Sequence, residues 1–434
     1  MRYYIDPFGC VKNQVDAENM MAHLNNAGWE STADAQQADL IIVNSCGFIE
    51  SAKQESINAV LEWRKIYPDK KILLAGCLAQ RYKKELSVEL KEADGIIGIE
   101  DTAKIVEAPA NATANVPGTS PGTRPLLSLP GSAYVKISEG CNNNCSYCAI
   151  PMIRGSLVCR KIPDIIDECR ALLARGIKEL CIIGQDIGAH DGLPILLNTL
   201  SMLKGDFWVR LLYIHPDHFP FEILDLMERD KRFLPYFDIP FQHASSKILT
   251  AMNRSGTAEK YLELINTIRS RCISNEWLPN AIIRSTFLLG FPGETEDDFN
   301  ALLDFQQKAK LDWLGCFTYS REDGTPAFSM KGQVPAKIAQ ARKQIIEERQ
   351  IPITEKNMDR FTGLTLDVLI EEQFISESNK NEENLWLGRL YCQAPEIDGA
   401  AVILSEKDEK DLQPGTLTQC KVIARRGFDL EVRV

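Results

Sequence analysis

Three cysteines in one short stretch constrain this chain more than any other feature. They are Cys141, Cys145 and Cys148, in the spacing Cys-x3-Cys-x2-Cys. No single helix face or strand face presents all three thiols, but a loop wrapped around a small inorganic group does. Three thiolates are one fewer than the four that hold most [4Fe–4S] clusters, so one iron would keep an open position. The alternative is a zinc site, but zinc needs a fourth protein ligand nearby, and the next cysteine is Cys159.

Length and composition favour a multidomain protein of the cytoplasm. The chain has 434 residues, of which 44% are hydrophobic and 25% are charged, as in ordinary globular proteins. Its formal net charge of -11 argues against general nucleic-acid binding and favours a basic partner. We find no apolar run of about 18 residues and no signal-peptide pattern, so we expect no membrane anchor. Thirteen cysteines in that compartment indicate metal ligands and buried thiols rather than disulfides.

Strand-like and helix-like segments alternate over residues 1–100, which predicts a doubly wound parallel sheet. Cys10, Cys46 and Cys77 each follow a predicted strand, at its carboxyl end. Because ligands bind at that edge of open α/β sheets, this placement predicts a second cluster site. A glycine beside each cysteine would let the backbone approach a cofactor closely. The alternative is three buried cysteines with a structural role.

Changes in pattern divide the rest of the chain. We place domains at residues 1–110, 133–357 and 358–434, with a proline- and glycine-rich linker at residues 111–132. The second domain has six βα units, which predicts a partial (βα)6 barrel rather than a closed eightfold one. The third has five short strands separated by turn signals, which predicts a small antiparallel β-barrel of the OB kind.

Several polar residues fall in the turns that follow the predicted strands of the second domain. They include Gln185 and three of the five histidines, His215, His218 and His243. Functional side chains of βα barrels gather at the carboxyl ends of the strands. The spacing of these histidines does not indicate a metal site, and a lone histidine is more often a structural hydrogen-bonding group. We therefore assign the histidines no role and name no catalytic acid or base.

The cysteine loop resembles that of the radical S-adenosylmethionine (SAM) superfamily, including the aromatic Tyr147 just before the third cysteine. The whole chain resembles one family, the radical-SAM methylthiotransferases, which join a methylthiotransferase N-terminal domain, a radical-SAM core and a C-terminal TRAM barrel. The resemblance implies two [4Fe–4S] clusters with these ligands: Cys10, Cys46 and Cys77 for one, and Cys141, Cys145 and Cys148 for the other. It also implies that SAM binds the cluster held by Cys141, Cys145 and Cys148, with Tyr147 and Gln185 as the expected SAM-binding residues.

Short motifs resemble the branch of this family that modifies an aspartate of the twelfth small-subunit ribosomal protein. They lie at residues 9–13, 46–53, 215–218, 241–245 and 394–399. The implied reaction adds a methylthio group to the aspartate β-carbon. A 5′-deoxyadenosyl radical from SAM removes a hydrogen atom, and the N-terminal cluster delivers sulfur that a second SAM methylates. An electron donor such as flavodoxin or ferredoxin is implied as well. The alternatives are methylthiolation of a transfer-RNA adenosine and, in another class, a two-cluster electron-transfer protein.

The predicted C-terminal barrel is acidic. From Met358 onward the chain has nine Lys or Arg and fifteen Asp or Glu, a local net charge of −6. That charge disfavours RNA as the main contact and favours docking of a basic ribosomal protein. The candidate contacts, which a solvated surface would explain equally, are Glu382, Glu383, Glu406, Asp408, Glu409 and Asp411.

Overall fold

The structure is a computed structural model that describes residues 1–106, 122–272, 280–374, 383–406 and 412–434. The chain divides into two units. The first comprises Met1–Leu127, Tyr134–Ala171 and Ser320–Ser329, and the second comprises Ser128–Ala133, Leu172–Tyr319 and Met330–Val434. Among the described helices, none combines the length and the apolar character that crossing a membrane requires.

A parallel sheet forms the centre of the first unit. Its strands are β1 (Arg2–Pro7), β2 (Glu30–Ser31), β3 (Leu40–Ser45), β4 (Lys71–Gly76) and β5 (Gly95–Ile97). They are hydrogen-bonded in the order β2-β1-β3-β4-β5, and every pair is parallel. The sheet confirms the predicted doubly wound arrangement. Strand β2 was not predicted, because two exposed residues carry no strand pattern.

Helices cover both faces of this sheet. They are α1 (Val11–Asn26), α2 (Glu50–Ile66), α3 (Cys77–Arg81) and α4 (Lys83–Glu89). Leu40 and Ile42 of β3 pack in one hydrophobic cluster with α1, and the alternate residues Ile41 and Val43 pack in another with α2. Burial on both faces explains why β3 is a continuous apolar run, and each such side chain contributes about 1.5–3 kcal/mol.

The other elements of the first unit surround the cysteine loop. They are β6 (Ser132–Lys136), β7 (Ser138–Glu139), α5 (Ile150–Arg154), β8 (Val158–Cys159) and α6 (Ile162–Ala174), of which β6 and α6 also reach into the second unit. The later segment Ser320–Ser329 joins this unit through Glu322, which pairs with Lys53 at 3.0 Å and with Arg81 at 2.7 Å.

Part of the predicted linker is packed against the first unit. Arg124 is buried, and its guanidinium pairs with the carboxylates of Glu18 and Glu168. Residues 111–121 of that linker lie outside the described residues. The domain boundaries therefore stay a prediction.

A second parallel sheet forms the centre of the second unit. Its strands are β9 (Glu179–Ile183), β10 (Trp208–Leu211), β11 (Phe233–Asp238), β12 (Ile282–Leu289) and β13 (Trp313–Thr318). The intervening helices are α7 (Leu193–Ser201), α8 (Glu222–Arg229), α9 (Ser246–Ala251), α10 (Ala258–Arg271) and α11 (Glu296–Ala309), and α12 (Ala336–Met358) follows them. The order β13-β12-β11-β10-β9-β6 runs through six strands in chain sequence, which confirms the partial (βα)6 barrel.

The last five strands close into a barrel. They are β14 (Thr365–Phe374), β15 (Glu383–Leu390), β16 (Ala401–Glu406), β17 (Leu417–Arg426) and β18 (Asp429–Arg433), in the order β14-β15-β16-β18-β17. The small barrel was predicted as antiparallel, and its pairs are antiparallel except for β16 and β18, which run parallel.

The barrel packs on the amino-terminal edge of the parallel sheet in the second unit. Glu179, the first residue of β9, is buried and accepts hydrogen bonds from Arg210 at 2.7 Å and Arg389 of β15 at 2.5 Å. Burial alone would raise the pKa of Glu179, but the two guanidinium groups lower it to about 2. Because the barrel occupies the amino ends of the strands, the turns with Gln185 and the histidines lie at the opposite edge of this sheet.

Candidate functional site

Three loops of the first unit bring Cys10, Cys46 and Cys77 together at the carboxyl ends of β1, β3 and β4. Cys10 precedes α1 as its N-cap, and Cys77 is the first residue of α3. Cys10 and Cys46 both lie close enough to Cys77 to raise its pKa, so the three cysteines form one group. Cys10 is exposed, Cys46 is half-buried and Cys77 is buried. The group therefore opens to solvent on the side of Cys10.

Glycines allow these loops to approach one another. Gly9 and Gly76 have φ angles of +91° and +94°, which residues other than glycine rarely adopt. A Cβ atom on Gly9 would lie 3.3 Å from the Sγ of Cys46, and one on Gly76 would lie 2.8 Å from the Oδ1 of Asn44. At Gly47 it would lie 2.8 Å from the backbone of α3. The sequence predicts that these glycines let the backbone approach a cofactor, and in the structure they permit close packing between the loops themselves.

Asn13 ties the same loops together by hydrogen bonds. Its buried amide nitrogen lies 2.6 Å from the carbonyl oxygen of Phe8 and 3.2 Å from those of Asn44 and Ser45. Its Oδ1 accepts from the thiol of Cys77 at 3.7 Å. The residue belongs to the motif at residues 9–13, but nothing in its sequence position indicates that it connects three loops.

Arg154 is the second residue that the sequence did not reveal. Its Nη2 lies 3.2 Å from the Sγ of Cys77 and 2.8 Å from the Oδ2 of Asp16. Both partners are distant in the chain, so no local sequence pattern predicts these contacts. Burial of Asp16 acts to raise its pKa, but the nearby Lys136 and Arg154 bring that pKa below its ordinary value.

The chemistry of the donor set fits an iron–sulfur cluster. Burial raises the pKa of the Cys77 thiol to about 12, and it also raises the pKa of Cys46. Such thiols are neutral until a metal displaces their protons. Three soft sulfur donors favour an iron–sulfur cluster or a thiophilic metal ion over magnesium or calcium.

The second group of cysteines lies in one continuous loop of the same unit, between β7 and α5. Cys141, Cys145 and Cys148 are all half-buried. Backbone hydrogen bonds shape the loop. The N–H of Cys141 donates to the carbonyl of Gly155 at 3.2 Å, and the N–H of Cys148 donates to that of Cys145 at 3.0 Å. Tyr147, the expected SAM-binding residue of this loop, is half-buried. One continuous segment therefore carries all three thiols, and the N–H of Ala327 also donates to the carbonyl of Ser146 within it at 2.9 Å.

The remaining cysteines suit a structural role. Those in the interior are Cys169, Cys181, Cys272, Cys316, Cys392 and Cys420, and Cys159 is half-buried. Burial raises the pKa of Cys169, Cys316 and Cys392 to about 12. We predict that none of these seven cysteines holds iron.

In the second unit, buried polar atoms without hydrogen-bond partners lie at the carboxyl edge of the sheet. Within the part of the chain that the structure describes, they include the Oε1 of Gln185 and the Nε2 atoms of His215 and His243. A backbone N–H donates to the Nδ1 of each histidine, from Asp217 at 3.2 Å and from Ser245 at 3.0 Å. The proton of each neutral ring is therefore on Nε2, so these atoms are donors. Burial lowers the pKa of both histidines to about 4, which keeps them neutral near pH 7.

The structure also brings Asp186, His215 and His218 together, which their spacing in the sequence did not indicate. One ligand atom of each lies within 4.8 Å of the others. The Nδ1 of His218 is already paired with the Oδ2 of Asp186 at 2.7 Å, and the Nδ1 of His215 accepts the N–H of Asp217. Hydrogen bonding thus accounts for the group.

Three family models match the chain in succession. They are described as Uncharacterized protein family UPF0004 at residues 2–98, Radical SAM superfamily at residues 135–305, and TRAM domain at residues 362–434.

Curated relatives match nearly the whole chain. A protein of Treponema denticola is 46% identical over 466 residues, covering 98% of this chain and 99% of the relative. One of Syntrophomonas wolfei is 40% identical with 97% of each covered, and one of Thermotoga maritima is 37% identical with 95% and 99% covered. Each is named ribosomal protein uS12 methylthiotransferase RimO.

Among solved structures, the chain is similar to the radical SAM methyltransferase TsrM of Kitasatospora setae, which was determined with cobalamin and a [4Fe–4S] cluster bound. The TM-score is 0.55 at 16% identity, with 75% of this chain and 76% of TsrM covered. At that identity the likeness concerns the fold alone.

Proposed function

Because this chain belongs to the RimO family of ribosomal protein uS12 methylthiotransferases, we propose that it is a radical-SAM enzyme that adds a methylthio group to the β-carbon of an aspartate in that ribosomal protein. The observation that carries the proposal is the presence of two separate groups of three cysteines in one unit, Cys10, Cys46 and Cys77 and, in a single loop, Cys141, Cys145 and Cys148. An enzyme that must both cleave SAM and supply sulfur needs two such sites. A SAM-cleaving enzyme without sulfur transfer needs only the loop.

Each group of three would hold a [4Fe–4S] cluster and leave one iron without a protein ligand. The clusters and SAM, when bound, supply the radical and sulfur chemistry that no side chain provides at an unactivated carbon. The protein's own contribution begins with the thiols. Burial raises the pKa of both the buried Cys77 and the half-buried Cys46, so cluster binding must displace their protons, and the surrounding loops keep water from the inner sulfur.

Loop packing sets the position of the first group. Asn13 holds the carbonyl groups of the loops after β1 and β3, while its Oδ1 accepts from Cys77. Gly9, before Cys10, and Gly76, at the end of β4, let the three loops come close enough to share one small group. Such rigid support keeps reacting groups within the narrow geometry that catalysis needs.

At the carboxyl edge of the second sheet, Gln185 supplies an acceptor atom and His215 supplies a donor N–H group. The Nε2 of the buried His243 lies 4.0 Å from the Oε2 of Glu294. A ligand such as SAM, with ammonium, carboxylate and hydroxyl groups, has partners for atoms of both kinds. We propose Gln185 as a SAM-binding residue on this ground, and Tyr147 from its position in the cysteine loop.

The acidic barrel is proposed to receive the basic ribosomal protein. Not every acidic residue of the barrel contributes to its surface, because Glu371 is buried against Arg389 and the side chain of Asp398 is only 1% exposed. Of the six carboxylates proposed as contacts, Glu382, Asp408, Glu409 and Asp411 lie outside the described residues. For Glu383 and Glu406 the structure describes the backbone but not the side chain. The proposal includes an electron donor of the flavodoxin or ferredoxin type. It also holds that RNA is not the main contact of the barrel.

Mass spectrometry of cells with and without the gene tests the proposed function. When the gene is deleted, we expect an aspartate of uS12 to carry hydrogen in place of the methylthio group, which lowers the mass of uS12 by about 46 Da. The transfer-RNA nucleosides should be unchanged. Loss of a methylthio-adenosine with unmodified uS12 in both strains would instead assign the enzyme to transfer RNA. Absence of SAM cleavage by the purified, reduced protein would favour the electron-transfer alternative.

A further inference from the structure

The guanidinium group of Arg154 contacts both cysteine regions of the first unit. Its Nη2 donates to the Sγ of Cys77 at 3.2 Å. Its Nη1 donates to the Oε1 of Glu139 at 2.8 Å, and Glu139 stands two residues before Cys141. Arg154 itself ends α5, the helix that begins two residues after Cys148. One side chain thus reaches from the end of the cysteine loop to the group formed by the N-terminal sheet.

Arg154 belongs to a network of four charged side chains, in which Asp16 and Glu139 contact its guanidinium. Asp16, on the helix that Cys10 caps, accepts from the Nη2 of Arg154 at 2.8 Å. Lys136 donates to Asp16 and to Glu139, at 2.5 Å in each case. The four side chains comprise two positive and two negative charges, so the network is neutral without any contribution from Cys77.

The contact with sulfur is shielded from water. The side chain of Arg154 is only 1% exposed, and Cys77 is buried. In such surroundings the interaction of a fixed positive charge with a nearby negative one is much stronger than in water. A guanidinium cannot release its proton in a protein, so this charge is constant across the accessible pH range.

We propose that Arg154 is a positioning residue that raises the reduction potential of the cluster held by Cys10, Cys46 and Cys77. The proposal rests on the ligand assignment given above. Reduction adds one negative charge to the cluster, and both the positive charge and the N–H donor at the Cys77 sulfur stabilise that charge. Hydrogen bonds to cluster sulfurs and net charge are known determinants of such potentials.

The test measures the potential of this cluster alone. In full-length protein with Cys141, Cys145 and Cys148 replaced by Ala, a redox titration followed by electron paramagnetic resonance reports only the N-terminal cluster. We expect Arg154→Gln to reduce the ratio of reduced to oxidised cluster at least tenfold at a fixed potential, which is about 59 mV for one electron. Arg154→Lys keeps the charge and should show a smaller shift.

Two further variants separate electrostatics from loss of structure. Asp16→Asn removes a carboxylate that Arg154 contacts but keeps the guanidinium, so the potential should rise or stay unchanged. Arg124→Gln removes a buried arginine that also pairs with two carboxylates, Glu18 and Glu168, and should leave the potential unchanged. The double variant Asp16→Asn, Arg154→Gln keeps the network neutral. Its potential, compared with that of Asp16→Asn alone, reports the effect of Arg154 even where Arg154→Gln alone does not fold.

Shifts of the same sign and size in Asp16→Asn and Arg154→Gln would overturn the proposal, because they would indicate general damage to the loops. An unchanged potential in both Arg154 variants would also overturn it. Iron content distinguishes these outcomes from failure of the proposed function. If the parent protein without Cys141, Cys145 and Cys148 holds no iron, the ligand assignment itself is wrong.

Discussion

The two groups of cysteines in the first unit each contain three thiols, but different parts of the chain supply them. Cys141, Cys145 and Cys148 come from one loop, whose hydrogen bonds include one within the loop, from Cys148 to Cys145, and one to the nearby Gly155. Cys10, Cys46 and Cys77 come from three loops, and their meeting depends on a whole parallel sheet and on the packing of glycines and Asn13 between the loops. A local site should tolerate changes in the scaffold, whereas a site assembled by tertiary structure should fail when loop packing is disturbed.

The largest effect is expected from removing the local group. Replacing Cys141, Cys145 and Cys148 with Ala should abolish both SAM cleavage and methylthiolation, because no other site in this assignment binds SAM. Iron per chain, measured after anaerobic reconstitution, should fall from about eight to about four atoms. An unaltered protein that saturates at about four irons would contradict the assignment of two clusters.

Removing the assembled group should separate the two half-reactions. With Ala at Cys10, Cys46 and Cys77, the protein should still convert SAM to 5′-deoxyadenosine but form no methylthiolated uS12, because the sulfur source is lost. Chromatography of the nucleoside products and mass spectrometry of uS12 measure the two activities in one reaction. Methylthiolated product from this variant would show that sulfur comes from elsewhere.

Two glycines test the dependence on loop packing. Gly76 and Gly155 have similar backbone angles, φ +94°, ψ −150° and φ +71°, ψ −164°, so Ala at either should cost about 1–3 kcal/mol in backbone strain. At Gly76 the new Cβ would also lie 2.8 Å from Asn44 and Ser45, whereas at Gly155 nothing lies within 4 Å. Overpacking should add about 1–3 kcal/mol to the loss in Gly76→Ala.

Denaturant unfolding and iron content measure the difference between these two variants. Gly76→Ala should be the less stable and should lose iron from the N-terminal group, while Gly155→Ala should keep it. Equal losses of stability would mean that the close approach of the loops contributes nothing beyond backbone strain.

The smallest effect is expected from a pair of asparagines. Asn13→Ala removes the amide donor from the carbonyls of Phe8, Asn44 and Ser45 and the acceptor from the Cys77 thiol, which should cost about 1–3 kcal/mol and weaken iron retention by the N-terminal group. Asn142 is exposed and its Oδ1 accepts one bond, from the N–H of Leu157 at 3.0 Å. Asn142→Ala should cost only about 0.5–1.5 kcal/mol. If both variants retained iron equally, Asn13 would be dispensable for the assembled site.

Much of the fold followed from sequence periodicity. The buried runs at β3 and β4, and the predicted alternation of strands and helices up to β13, correspond to strands of the structure because strands covered on both faces are continuously apolar. The sequence pattern did not predict strand β2, which has only two residues. It also did not predict that β16 and β18 pair in parallel. Pairing direction depends on how the barrel closes, which a single strand's sequence does not record.

The sequence by itself determined the residues that can act as ligands and the loop in which Cys141, Cys145 and Cys148 lie, because thiol spacing within a short segment is a local property. It also placed Cys10, Cys46 and Cys77 at strand ends, because strand periodicity is local as well. Only the tertiary structure decided that Asn13 joins three loops and that Arg154 lies between Asp16, Glu139 and Cys77. Those contacts join residues far apart in the chain, and their energy exists only once packing has removed water from between them.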